Sequence, residues 1–367
     1  MKQFIYTLYN KVLQSGVFCV MLLCVGLTAC IGEEYPTEDT PSDNFEALWQ
    51  LMDEHYCFFE YKRQTIGVDW DEVHERYRAK LSDGMSEKQL FEVLCMMLAE
   101  LKDGHVNLSA GFDLGRNWSY YEDFPENYDE TVARSYLGVD YGIASGLKYK
   151  ILEDNIGYVR CESFSDGIGE GNLSYMLDEL ALCDGLIIDV RNNGGGELTT
   201  AHRLAARFTN EKCLTGYICH KTGKGRDDFS SPKPEYIEPS DGVRWQKPVV
   251  VLTNRRCYSA TNDFVKCMRT FPKVTLLGDS TGGGSGMPFT QEIPHGWSVR
   301  YSAVVCYDRN MRHTEFGIAP DTLVCLAEED VLRKRDTLIE AARGLLREQA
   351  GSFPATMELN IIADRLY

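Results

Sequence analysis

Ser259 stands at a junction between two kinds of sequence pattern. The unbroken apolar run 249–252 precedes it and is typical of a strand buried on both faces. Phe264, Cys267 and Met268 follow it at helical spacing. A serine hydroxyl at such a junction is exposed at the end of a sheet, beside the N–H groups of the helix start, and can attack an ester or amide carbonyl. The alternative interpretation is a helix N-cap, a position that serine often occupies.

A glycine-rich stretch at 192–196 follows a second buried strand, predicted at 185–190, and precedes a helix. Consecutive glycines allow backbone N–H groups to converge without side chains in the way, which suits a phosphate or a carbonyl oxyanion. Because no Lys-Ser/Thr pair follows at P-loop spacing, the pattern does not favour a nucleotide. A tight structural turn is the alternative.

The elements before these stretches are helical. Helices are predicted at 43–56 and 69–79, and a capping box at Ser86 opens a third, which runs out into Asp103-Gly104-His105. These helices define a small N-terminal helical unit over residues 43–105. The segment 111–145 is rich in aromatic residues without periodicity, and it either wraps the core or lines a substrate groove.

Strand and helix patterns alternate from Leu147 onward, which predicts an α/β core domain over 106–350 with a mixed sheet flanked by helices. A tail follows at 351–367. The predicted strands are 156–161, 185–190, 216–220, 249–252, 274–277, 289–293 and 298–306, and the predicted helices are 172–182, 198–208, the one after Ser259, and 333–347.

The N-terminus has the pattern of an export signal. Lys2 and Lys11 precede an apolar run at 17–27 that is too short to span a bilayer as a helix, and the run ends in a stretch, Leu27-Thr28-Ala29-Cys30, that resembles a bacterial lipobox. We therefore predict a lipoprotein signal over 1–30 with a lipid on Cys30, and an acidic linker over 31–42. An uncleaved anchor, or a secretory signal with a chance cysteine, is the alternative. The expected location is the cell envelope, on the periplasmic or the outer surface.

Charge and cysteine spacing narrow the classes of ligand. The net charge is −17, and because 1–30 carries two lysines and no acid, the remainder stands at −19, which argues against nucleic acid as a partner. The ten cysteines outside the signal show neither CxxC spacing nor a paired histidine, so the sequence predicts neither a metal site nor a cofactor. Export would permit disulfides, without indicating which.

Four stretches resemble, in order, the motifs of the tail-specific, or C-terminal-processing, serine peptidases. Tricorn protease and the retinoid-binding repeats of vertebrate eyes belong to the same superfamily. The resemblance spans about 45–347 and implies a serine peptidase that acts on peptides or unfolded protein segments. The four stretches are Leu101-Lys102-Asp103-Gly104-His105-Val106, the run from Leu186 to Gly196, the run from Tyr258 to Phe264, and Gly317-Ile318-Ala319-Pro320-Asp321.

The resemblance also implies roles for individual residues. Ser259 corresponds to the nucleophile. The N–H of Ala260 would form one half of the oxyanion hole, and the N–H of Gly195 or its neighbour Gly194 would form the other half.

The general base departs from the commonest family pattern. Those members use a Ser–Lys dyad with the lysine in a glycine-rich turn, where this chain has Gly284. The tricorn-like branch uses histidine instead, and His105 matches that position. Glu315 resembles the acidic residue of that branch, which would orient the imidazole or bind the substrate's terminus. His313 is a nearby competitor.

Further expectations follow from these assignments. The acid limb of activity is expected at a pKa of ~6–7, as for an ordinary histidine, while Lys266 and Lys273 are expected to contribute little. Too few residues lie between the third predicted helix and the strand at 156 for the PDZ domain that the family often carries. The alternatives to a peptidase are a catalytically silent lipoprotein that binds a peptide or an apolar ligand, and an acyl esterase.

Overall fold

A computed structural model describes residues 39–116 and 120–351 of the chain, without the side chain of residue 116. The signal region and the predicted lipidation site at Cys30 lie outside the described residues, as do most of the linker and nearly all of the tail. Within the described ranges, every helix is too short or too polar to cross a membrane.

Four helices form the N-terminal part of the described chain. Three of them begin at a residue whose side chain caps them, and at the first of these Thr40 accepts from the Asp43 N–H. Asp69 accepts hydrogen bonds from two N–H groups at the start of the third helix, and Ser86 forms the predicted capping box with Gln89. The second helix was not predicted. The four are α1 (Pro41–His55), α2 (Phe59–Ile66), α3 (Trp70–Arg78) and α4 (Glu87–Ala99).

A seven-stranded mixed sheet forms the centre of the core, and it confirms the predicted α/β class. Its order is β14-β10-β9-β6-β5-β4-β3, parallel from β14 to β5 and antiparallel from β5 to β3. The strands are β3 (Gly142–Ala144), β4 (Leu147–Ile151), β5 (Ile156–Cys161), β6 (Gly185–Asp189), β9 (Val249–Thr253), β10 (Val274–Gly278) and β14 (Thr322–Leu323).

Two smaller antiparallel sheets and six helices complete the described fold. One sheet has the order β11-β12-β1-β2 and the other β13-β7-β8. Their strands are β1 (Asn107–Ser109), β2 (Leu114–Arg116), β7 (Cys213–His220), β8 (Lys233–Ile237), β11 (Pro288–Glu292), β12 (Ser298–Ser302) and β13 (Val304–Asp308). The helices are α5 (Glu130–Leu137), α6 (Glu170–Glu179), α7 (Leu198–Ala205, continued by a 3₁₀ turn at Ala206–Phe208), α8 (Ala260–Met268), α9 (Glu328–Leu332) and α10 (Thr337–Gly351).

Three apolar clusters hold these layers together. Two lie on opposite faces of the central sheet, one beneath α6, α7 and α8 and the other beneath α10. The third joins α1–α4 to the four-stranded sheet, through contacts such as Phe91 against Trp297. The helical unit is therefore packed onto the sheet that includes the segment next to His105.

The single strand predicted at 298–306 is wrong, because the structure divides it between two sheets. Ser302 ends β12 and Val304 begins β13, which pairs with β7 instead. The N–H groups of Ala303 and Val304 both donate to the carbonyl of Gly286, at 2.8 and 3.0 Å, and this bends the chain at Ala303. An apolar pattern that continues across such a bend does not reveal the break.

The ten cysteines at position 57 and beyond are all free thiols. Seven of them are buried, and burial raises the pKa of several, including Cys257 to about 12. Six of the buried thiols pack within the apolar clusters.

Candidate active site

Three neighbouring parallel strands bring the predicted site together. Strand β9 lies between β6 and β10, and the carboxyl ends of parallel strands meet at one edge of a sheet. The turn after β6 therefore contacts the turn after β9, where Tyr258 N donates to Asn193 O at 3.1 Å. The turn after β10 contacts the same place, where Ser259 N donates to Gly283 O at 2.9 Å.

Ser259 has a backbone conformation that non-glycine residues rarely adopt. Its φ is 58° and its ψ is −122°, directly before the first residue of α8. Its side chain makes no capping bond, so the N-cap interpretation does not account for the hydroxyl. The strained turn instead directs Oγ out of the helix start and towards His105, as a nucleophile elbow does.

His105 lies at hydrogen-bond distance from Ser259, with Nε2 3.0 Å from Oγ. The loop that carries it is fixed by Asp103, which accepts from the His105 backbone N–H at 2.8 Å and from the Ser302 hydroxyl at 2.8 Å. Tyr56, directly after α1, donates to the same carboxylate at 3.1 Å. The helical unit and the four-stranded sheet thus position the imidazole together.

The His105 ring is buried, and it lacks a direct partner at its second nitrogen. Nδ1 has no hydrogen-bond partner among the residues that the structure describes. Burial lowers the pKa of His105 to about 4, opposed by the negative charge of Asp103. The imidazole is therefore neutral near pH 7, as a base must be.

Glu315 lies below this loop, bonded to Lys62 and Ser285 rather than to the imidazole. Lys62 Nζ is 2.9 Å from Oε1, and the Ser285 N–H donates to Oε2 at 3.0 Å. Both members of the Lys62–Glu315 pair are buried. Burial and the charge of Asp103 raise the pKa of Glu315 to about 7, while Lys62 opposes the rise. Glu315 therefore has no direct bond to the imidazole, and it acts on the histidine loop through Lys62, which donates to the carbonyl of Lys102.

Lys62 is a site residue that sequence reasoning missed. It is fully buried on α2, where its ammonium also donates to the carbonyl of Lys102 at 3.1 Å and lies over the Phe316 ring. A lysine in an amphipathic helix is ordinarily solvated, so its type and position carried no signal. Asp103 did carry a sequence signal, because it belongs to the same motif as His105.

The glycine turn lies against the nucleophile. A Cβ at Gly195 would come within 2.8 Å of the Ser259 Cβ and within 3.0 Å of the Ala260 N, so only glycine fits. The Gly195 N–H is donated to Asn193 Oδ1 at 2.9 Å, so it can serve an oxyanion only by sharing or breaking that bond. Gly194 is exposed and has open space around it. The Ala260 N–H is the first of α8 and has no acceptor within the helix.

Gly284, the position where the resemblance predicts a lysine in other members, is closed to any side chain. Gly284 has a φ of +76°, and a Cβ there would lie 2.2 Å from the Tyr258 ring. That ring stacks on Tyr120, with centroids 3.9 Å apart. Lys266 is buried in ion pairs with Asp263 at 2.5 Å and Glu235 at 3.1 Å, and these charges raise its pKa despite burial. A protonated, ion-paired lysine cannot act as the base. The buried ion pairs of Lys266 give it a structural role instead.

The serine and the histidine open into one cavity of about 440 Å³. Its walls come from the glycine turn, from the start of α8, from the turn after β10 and from the edge strand β11. The lining residues are His105, Gly196, Glu197, Leu198, Thr199, Ser259, Ala260, Asn262, Asp263, Gly284, Ser285, Met287, Pro288, Phe289, Arg300 and Cys306.

Comparison with known proteins shows the family to which the chain is similar. Residues 155–324 match the model of peptidase family S41, and residues 37–99 match that of the tricorn protease C1 domain. A crystal structure of a protein from Parabacteroides merdae is 55% identical, covers 84% of this chain and 97% of its own, and superposes with a TM-score of 0.81. The chain belongs to peptidase family S41. The predicted resemblance is therefore confirmed, while His105 lies between the two matched ranges.

Curated relatives in this family are longer than the chain. A carboxyl-terminal-processing protease of Synechocystis is 25% identical over 52% of this chain and 44% of its own length. The tail-specific protease of Haemophilus influenzae is 25% identical over 42% of this chain and 21% of its own. The chain thus matches less than half the length of these two S41 relatives.

The glycine turn yields a test of the site geometry. We expect Gly195→Ala to lower the rate of Ser259 labelling by a fluorophosphonate about 100-fold or more, because the new Cβ displaces Ser259. Gly194→Ala keeps its N–H and meets open space, so labelling should stay within about threefold of wild type. Equal labelling of the two variants, both folded by circular dichroism, would contradict the geometry.

Proposed function

We propose that this S41 member is a serine peptidase that cleaves peptides or unfolded protein segments through an acyl-enzyme on Ser259. The observation that supports the proposal is the 3.0 Å contact between His105 Nε2 and Ser259 Oγ, at a strained turn that opens into a cavity. A catalytically silent binding protein has no need of that strained geometry. The names of the curated relatives point to the same reaction class.

The proposed reaction needs only groups of this chain, a peptide and water. Ser259 Oγ attacks the carbonyl carbon while its proton passes to His105 Nε2. The oxyanion forms near the Ala260 N–H and the glycine turn. The imidazolium then gives the proton to the leaving amine as the C–N bond breaks. Water, deprotonated by His105, hydrolyses the ester and restores the serine hydroxyl.

Two variants and a control test these roles. We expect Ser259→Ala to abolish peptide hydrolysis and fluorophosphonate labelling, and His105→Ala to lower turnover by several orders of magnitude, because each removes one partner of the proton transfer. Lys273→Ala, on an exposed side chain at the exit of α8, should retain activity. Near-normal turnover in folded His105→Ala would overturn the base assignment. Hydrolysis of acyl esters without hydrolysis of peptides would replace peptidase by esterase.

The pH dependence follows from the state of the base. Because burial lowers the pKa of His105 to about 4, we expect kcat/KM to hold below pH 6 and to fall only as pH approaches about 4, below the ~6–7 of an ordinary histidine. Glu315→Gln is the control, because the pKa of Glu315 is raised to about 7 and its titration could also change the activity near that pH. A fall in kcat/KM near pH 7 that is absent in Glu315→Gln belongs to the Glu315 carboxyl. A limb at ~6–7 that persists in Glu315→Gln would refute the low pKa of His105.

We further propose that the protein is held at the cell envelope by a lipid on Cys30. The apolar run before Cys30 and the small residues next to it support the proposal, and about ten residues separate Cys30 from the start of α1 at Pro41. Such a tether would let the folded part reach peptides near the membrane surface.

Two single cysteine substitutions test lipid attachment. We expect Cys30→Ala to lose incorporation of labelled palmitate and to leave the detergent phase, because the thiol that accepts lipid is gone. Cys24→Ala, inside the apolar run, should keep both properties. Unchanged detergent partitioning of Cys30→Ala would remove the anchor from the proposal.

A further inference from the structure

Arg300 is a cation in the catalytic cavity for which the acyl-transfer steps have no use. It lines the same cavity as Ser259 and His105, and its side chain is exposed. No carboxylate of the described residues lies within ion-pair distance of it. Its guanidinium is therefore available to a ligand that enters this cavity.

Strand register places Arg300 beside the catalytic histidine. Arg300 in β12 lies directly opposite Asn107 of β1. Asn107 follows His105 by two residues. Directly opposite residues have side chains on the same face of a sheet, at Cα separations of about 4.5–5.5 Å. Ser302, two residues further along β12, donates to Asp103. Besides burial, the positive charge of Arg300 also lowers the pKa of His105, as expected of a near neighbour.

The histidine side of the cavity is the leaving-group side. His105 must return its proton to the departing amine, so the part of the substrate after the scissile bond lies next to the imidazole. The acyl part lies on the other side, near the Ala260 N–H and the glycine turn. Arg300 therefore faces residues that follow the scissile bond.

The acidic residues of the cavity do not cancel this charge. Asp263 is bonded to His202 at 2.5 Å and to Lys266 at 2.5 Å, so its charge is already paired. Glu197 follows Gly196 in the glycine turn, on the acyl side. The cavity is thus polarised, with its unpaired cation on the leaving-group side.

We propose that Arg300 binds a substrate carboxylate on the leaving-group side of the scissile bond and thereby selects substrates. A planar guanidinium matches a carboxylate with two parallel hydrogen bonds. The carboxylate is that of an Asp or Glu side chain, or a free C-terminus within the first residues after the bond. This specificity rests on the proposed peptidase function and deepens it.

Peptides that differ only after the scissile bond test the proposal. The acyl half is kept constant, and the leaving half is Ala-Ala-amide, Asp-Ala-amide, Lys-Ala-amide or Ala-Ala with a free carboxylate. We expect wild type to cleave one or both carboxylate peptides about tenfold faster in kcat/KM than the neutral amide. The Asp and free-acid peptides distinguish the two sources of carboxylate.

Charge variants then assign the preference to one side chain. In Arg300→Gln the ratio of carboxylate to neutral peptide should fall towards one, and in Arg300→Glu the Lys peptide should become the preferred one. Arg309→Gln is the matched control, because Arg309 is an exposed arginine outside the cavity lining, and its ratio should not change.

The outcomes separate this inference from the proposed function. If wild type cleaves all four peptides equally, or if Arg300→Gln keeps the full preference, the assignment to Arg300 is wrong while the peptidase stands. If wild type cleaves no peptide and is not labelled by fluorophosphonate, both proposals are wrong. Circular dichroism of each variant shows that a changed ratio does not come from misfolding.

Discussion

The site depends on one constraint, the left-handed backbone at Ser259. A serine in that conformation costs of order 1–3 kcal/mol, so surrounding contacts must enforce it. Its N–H is bonded to the Gly283 carbonyl, and the preceding N–H is bonded to the Asn193 carbonyl. Gly195 packs so closely that any side chain there would displace the nucleophile. Three loops from adjacent parallel strands thus fix one residue, which is why the glycines recur in the two flanking turns.

His105 is positioned by buried charged side chains, whereas Ser259 is positioned by backbone hydrogen bonds. The Asp103 carboxylate accepts from the His105 backbone N–H, from Tyr56 directly after α1 and from Ser302 of β12. Glu315 lies nearby and is neutralised by Lys62 from α2. Removing one partner of such a buried pair typically costs about 3–5 kcal/mol, so the helical unit contributes to the active centre itself. The N-terminal helices therefore determine where the base lies, although they carry no reacting group.

Much of this arrangement could be predicted from sequence, and the failures have physical causes. Buried strands such as β5 and β9, and the capping box at Ser86, leave periodic or positional signals that the structure confirms. The motifs also named Ser259 and His105, which fold to within 3.0 Å. Lys62 and Arg300 left no signal, because a lysine on a helix and an arginine on a strand are ordinarily solvated. The bend at Ala303 is set by two bonds to a distant carbonyl.

The basicity of His105 depends on its Nδ1 atom, which has no hydrogen-bond partner among the described residues. In the Ser-His-Asp arrangement a carboxylate bonds Nδ1 and raises the basicity of the imidazole. Here Nδ1 has no partner among residues 39–116 and 120–351, and Asp103 acts on the ring through its charge rather than through a bond. Burial keeps His105 neutral over a wide pH range, but a base with a low pKa accepts a proton less readily. A substrate carboxylate at Arg300 would neutralise one charge that opposes the imidazolium. Binding of the preferred substrate would then also raise the basicity of His105, which takes the proton from Ser259.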